Sequence, residues 1–86
     1  MFSARFEKPA EWFIEKLKDK ILLKRILNKI ERLKENPFPS DAVGVEEYKK
    51  DRVFRVRVGG YRILYYVNHE GSLIVIISID KRSRAY

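Results

Sequence analysis

The 86-residue chain contains no cysteine, no glutamine and no threonine, and only one histidine. Without cysteine it has neither a disulfide framework nor a thiolate metal site. That agrees with a reducing cytosol. The lone histidine excludes a nuclease centre built on two of them. His69 falls in a turn-like stretch, where an exposed histidine is the ordinary reading. No apolar run is long enough to cross a bilayer, and no secretory leader pattern is visible. The longest such run, Leu73–Ile77, has the length of a strand. Carboxylates are sparse in the second half, and no spacing suggests a metal cage. The expectation is a cytoplasmic protein without membrane, metal or cofactor. Missing Gln and Thr beside 36% charged residues fits a thermophilic composition.

What is present is apolar and cationic. Hydrophobic residues make up 45% of the chain, which suits a folded domain, and the length suits one domain over residues 1–86. The net charge of +7 is unevenly spread. Residues 1–48 hold ten Lys/Arg against nine Asp/Glu, and residues 49–86 hold nine against three. The second half therefore reads as a surface for a polyanion.

Along the chain, Phe2–Phe6 is a short strand candidate. Pro9 suits the first turn of a helix that continues through Leu17, with Trp12 or Phe13, Ile14 and Leu17 at helical spacing. Asp19 is placed to cap a second helix from Lys20 to about Glu35. Its apolar stripe is Leu23, Ile26, Leu27, Ile30 and Leu33, and Asn36-Pro-Phe-Pro39 stops it. The short link predicts an αα-hairpin. Residues 40–51 read as a loop with a short strand or turn. A hairpin over 52–68 and a strand over 73–79 follow. The fold class is α+β: an N-terminal strand and αα-hairpin on an antiparallel sheet of about four strands.

Within the hairpin, VFRVRVGGYRILY turns at Gly59-Gly60. A two-residue turn pairs Val58 with Tyr61, Arg57 with Arg62, Val56 with Ile63 and Phe54 with Tyr65. One face is then apolar, with Tyr61 and Tyr65 in the core. The other face carries Arg55, Arg57, Arg62 and Tyr66. Like charges directly opposite destabilise a sheet, so the pair Arg57 and Arg62 points to an anion between them. A three-residue loop His69-Glu70-Gly71 puts glycine in the left-handed position, pairs Asn68 with Ser72 and Arg62 with Ser78, and brings Ser78, Asp80 and Arg82 onto the arginine face.

The candidate site is Arg55, Arg57, Arg62 and Arg82, with Ser78 and Tyr86 nearby and Lys49, Lys50, Arg52, Lys81 and Arg84 around it as cations for a polyanion. Guanidinium groups match phosphate oxygens bidentately, and a rigid sheet holds them with little ordering entropy. A solvated basic face is the plain alternative. Glu46 and Glu47 read as ordinary solvated charges.

The order of elements, with GGYRILYYV and ISIDKRSRAY, resembles the RelE toxin family within the RelE/ParE group of toxin–antitoxin modules, over essentially the whole chain. The resemblance implies a ribosome-dependent endoribonuclease that cleaves mRNA in the A site without metal or cofactor. It also implies a RelB-like antitoxin as partner. Arg55 and Arg57 stand where the family often has lysines, Arg62 matches the arginine of the GYR motif, Arg82 the arginine after the last strand, and Tyr86 the C-terminal tyrosine. The implied reaction is attack of a 2′-hydroxyl on the adjacent phosphate. Two alternatives stay open: a ParE-type inhibitor of DNA gyrase, and a nucleic-acid-binding or decayed toxin domain without catalysis.

Overall fold

The structure, a computed structural model, describes residues 1–48 and 51–81. Strand β1 (Ser3–Phe6) leads into α1 (Lys8–Lys16) and α2 (Lys20–Glu35), followed by β2 (Val43–Tyr48), β3 (Asp51–Val58), β4 (Tyr61–Asn68) and β5 (Leu73–Lys81). The five strands form one sheet in the order β1-β5-β4-β3-β2. β1 runs parallel to β5, and the other neighbours are antiparallel.

Each boundary has a local cause. Pro9 lies in the first turn of α1, where its missing N–H is no loss. Asp19 caps α2, its Oδ1 accepting from the Leu22 N–H at 3.0 Å. After Glu35, the Asn36 side chain accepts from the Phe38 N–H at 3.1 Å, and prolines 37 and 39 exclude further helix. Three residues, 17–19, join the helices.

One face of the sheet packs on the helices. Val56, Ile63, Tyr65, Ile74 and Ile76 meet Ala10, Ile26, Ile30 and Leu33 in a single core. From the expected stripe of α2, Ile26, Ile30 and Leu33 are buried, whereas Leu27 is exposed and Leu22 packs on the core instead. Trp12 is exposed and Phe13 takes the inward place, its ring 5.5 Å from that of Tyr61. The Tyr65 hydroxyl donates to the Pro37 carbonyl at 2.7 Å, pinning the segment after α2 onto β4. Phe38 extends this anchor by stacking on His69 at 5.9 Å and meeting Phe54 edge-on at 5.1 Å. His69 is thus an exposed turn residue against aromatic rings.

The β3–β4 register is the one the sequence predicts: Val58↔Tyr61, Arg57↔Arg62, Val56↔Ile63 and Phe54↔Tyr65. Gly59 has φ +59°, the backbone that the first central position of a type II′ hairpin turn requires.

Three expectations change. First, the sheet has five strands because β2, read as mainly loop, pairs with β3. Second, the sheet is mixed because β1 is parallel. Third, the β4–β5 loop has four residues, 69–72, with Asn68 opposite Leu73, and Ser72 rather than Gly71 holds the left-handed backbone at φ 50°. Asn68 Oδ1 accepts from the Gly71 N–H, giving the turn a local anchor. The extra loop residue would turn the polar end of β5 inward. A register shift restores it: Tyr65 pairs with Ile76, but Leu64 pairs with Ser78. The unmatched residue, Ile77, lets Ile74 and Ile76 enter the core while Ser78 and Asp80 still emerge on the arginine face.

Candidate functional site

The face of the sheet away from the helices divides into two zones. At one end Val53, Tyr66 and Val75 lie in one rung, both valines buried. At the other end stand Arg55, Arg57 and Arg62, with Leu64, Ser78 and Asp80. All alternate outward because the apolar residues between them face the helices.

Arg62 is held by a neighbour the sequence reading assigned elsewhere. Its register partner on β5 is Asp80, not Ser78, and its Nε donates to Asp80 Oδ1 at 2.8 Å. This carboxylate offsets the repulsion between Arg62 and the directly opposed Arg57. It also fixes the plane of the guanidinium, whose two Nη groups are further donors. The sheet therefore resolves its like-charge pair internally, so an anion between Arg57 and Arg62 is not needed to explain it.

Arg57 sits at a border. β2 begins at Val43, opposite Arg55, so β3 has no outer neighbour at Arg57. Its side chain lines two hollows. One, of about 300 Å³, is bounded by Asp41, Val43 and Arg55. The other, of about 390 Å³, lies on the α2 side, where Arg25, Asn28, Lys29 and Arg32 face Arg57 and Gly59. These helical cations were missed by reading charge strand by strand. Their spacing, i, i+4 and i+7, places them on one face of a helix and was visible in the sequence. Lys29 is bound to Asp41, Nζ to Oδ2 at 2.7 Å. The hydrogen bond from Lys29, aided by its charge, lowers the Asp41 carboxyl below the usual range.

The surrounding cations do not all share this face. By alternation Arg52 lies on the side of Phe54, its guanidinium 5.7 Å from that ring, a cation–π contact. Lys81 pairs with Tyr61 and lies on the helix side too. Lys49, Lys50, Arg82, Arg84 and Tyr86 lie outside the described residues.

A small mixed sheet thus carries two helices on one face and arginines on the other. The family model described as "ParE toxin of type II toxin-antitoxin system, parDE" matches residues 4–86. A protein of Methanocaldococcus jannaschii named "Putative toxin RelE1" is 38% identical over 65 residues, 74% of this chain and 72% of that one. The toxin in the archaeal RelE-RelB complex from Pyrococcus horikoshii superposes with a TM-score of 0.81 at 25% identity, covering 98% of both chains. A chain of the RelBE2 toxin–antitoxin complex of Mycobacterium tuberculosis gives 0.74 at 26% identity, over 94% of this chain and 98% of that one. The isolated Escherichia coli RelE toxin, at 21% identity and a TM-score of 0.76, shares the fold. The chain belongs to the ParE toxin family of type II toxin–antitoxin systems, and within the RelE/ParE superfamily it is a RelE-type toxin.

Proposed function

We propose that this toxin is a ribosome-dependent, metal-independent endoribonuclease that inhibits translation by cutting mRNA in the A site. The observation that carries the reading is the aligned Arg62, held by Asp80 beside Arg55 and Arg57 on the face the helices leave uncovered. In the proposed reaction the substrate 2′-hydroxyl gives its proton to water and attacks the adjacent phosphorus. The bond from phosphorus to the 5′-oxygen breaks, that oxygen takes a proton, and a 2′,3′-cyclic phosphate remains. Arg62 holds the scissile phosphate, and Arg55 and Arg57 support the charge developing on it and aid deprotonation, the kind of preorganised electrostatic help that dominates such reactions. Arg82, which follows β5 in the sequence, stabilises the transition state and donates to the leaving oxygen, and the C-terminal Tyr86 is a further candidate of the same site. Arginine is a poor base at neutral pH, so the ribosome's positioning of the strand supplies much of the rate.

The matched complexes of relatives with antitoxins support a RelB-like antitoxin as the partner that restrains this chain. The ribosomal target makes the protein cytoplasmic. The name of the family model keeps one second reading, a ParE-type action on DNA gyrase.

Primer extension on mRNA bound to 70S ribosomes tests the proposal, with the wild type beside Arg62→Ala and Arg82→Ala. Codon-phased cuts should fall by about 10²–10³ in rate in each variant, as when one oxyanion donor is lost. No cuts by the folded, antitoxin-free wild type would sink the nuclease reading, and gyrase supercoiling would be assayed next.

A further inference from the structure

Apart from Arg57, the α2 hollow has no part in the reaction above, yet it gathers four cations of its own, Arg25, Lys29, Arg32 and Arg57. Arg25, Lys29 and Arg32 converge from one side of the helix on Arg57 and Gly59. Among the carboxylates of the described residues, Asp41 is the one seen bonded to this group, through Lys29. Bringing four cations around one concavity raises their mutual repulsion, and a bound anion relieves it.

Two features show that the hollow is shaped. The first is Gly59. Arg25 Nη1 lies 3.3 Å from where a Cβ would stand, so the guanidinium rests against the bare backbone of the hairpin turn. The second is the early end of the β2–β3 pairing at Val43↔Arg55. It leaves the rim open at Arg57, so this one side chain lines both hollows. Cations therefore run from α2, past Arg57, to Arg55 and Arg62, with Asp41 bonded to Lys29 and Asp80 to Arg62 along the way.

We propose that Arg25, Arg32 and Arg57 form a second phosphate-binding groove, which holds the backbone of the RNA strand where it leaves the catalytic face. The ligand is single-stranded RNA, recognised chiefly through its phosphodiesters, because four cations line the hollow beside one carboxamide, Asn28, and no stacking aromatic. Arg57, shared with the catalytic face, hands the strand across the sheet edge. This inference rests on the reading of the toxin as one that acts on RNA.

The test is fluorescence anisotropy with the full antitoxin-free chain and two labelled RNAs, one of two nucleotides and one of about twelve. Affinity is measured across a salt series. Each phosphate contact on a single strand contributes about 0.7 to the slope of log affinity against log salt. The double variant Arg25→Ala/Arg32→Ala should therefore flatten the slope for the long RNA by about 1.4 and leave the dinucleotide unchanged. The control, Lys16→Ala/Lys18→Ala, removes the same charge at exposed positions outside the hollow and should leave both slopes in place. Equal losses in the two double variants would mean a diffuse field and overturn the groove. An unchanged slope in the Arg25/Arg32 variant, or a wild type that binds no RNA at low salt, would overturn it too. Retained groove binding by a toxin that cuts no ribosomal mRNA would count against the nuclease reading and support the groove.

Discussion

Replacing Tyr65 by phenylalanine removes one oxygen and leaves the ring in place. The ring is fully buried and stacks on Phe54 at 6.0 Å, so little apolar packing changes. The oxygen donates to the Pro37 carbonyl at 2.7 Å, an optimal length for a hydroxyl hydrogen bond. A neutral bond of this kind contributes about 0.5–1.5 kcal/mol net. Pro37 is partly exposed, so water can reach its orphaned carbonyl and the cost should stay near 1 kcal/mol. For a domain of this size that lowers Tm by roughly 4–8 °C. The phenol also carries a pH signature. Burial, and to a smaller extent the negative charge of Asp41, raises its pKa above the ordinary tyrosine value of 10.0. A group whose folded pKa is raised stabilises fully below its unfolded pKa and progressively less as pH climbs through the folded one. Phenylalanine has nothing to ionise. An advantage of about 1 kcal/mol for tyrosine therefore shrinks as pH climbs above the unfolded tyrosine pKa of about 10 and gives way to an advantage for phenylalanine. Urea denaturation of both proteins at pH 7, 9, 10 and 11 reads the gap directly. A gap that stays constant from pH 7 to 11 would refute the coupling of burial, hydrogen bond and titration argued here.

Asp80→Asn keeps the shape beside Arg62 and removes the charge. Because the pair is partly exposed, stability should change by less than about 1 kcal/mol. RNA binding should tighten and cleavage should fall, which anisotropy and primer extension report separately. Asp41→Asn should flatten the acid limb of stability. The depressed carboxyl stabilises above its unfolded pKa and loses that contribution as pH falls below the ordinary carboxylate range, an effect visible in thermal melts between pH 5 and 2. Ile26→Ala opens a void beneath the sheet at a position with no exposure and should cost about 2–5 kcal/mol in chemical denaturation.

Local chemistry made much of the fold legible. Asp19 and the prolines after Asn36 bracket α2 because a cap and a missing N–H act within one turn. Gly59-Gly60 sets the β3–β4 register because a two-residue turn leaves no slack. β5 was harder. Its Leu73–Ile77 run is apolar on both faces, so alternation carries no phase information there, and both the four-residue loop and the unmatched Ile77 were hidden. β2 is short and half polar, and only its pairing with β3 makes it a strand. In the site, the hairpin put Arg55, Arg57 and Arg62 on one face. The Asp80 contact depended on the hidden register, and the border position of Arg57 depended on where β2 begins.

The place of β5 in the sheet also orders events in time. β1 pairs with it across 70 positions of chain, Ser3 against Leu73, and β5 lies between β1 and β4. The hairpin and the helices can form from near neighbours, but β1 has no hydrogen-bonded neighbour in the sheet until β5 exists. Contacts so distant in sequence close late and slowly. The same strand brings Asp80 to Arg62. An emerging chain can thus display its cations early, yet the guanidinium proposed to grip the scissile phosphate is aligned only when β5 has joined the sheet.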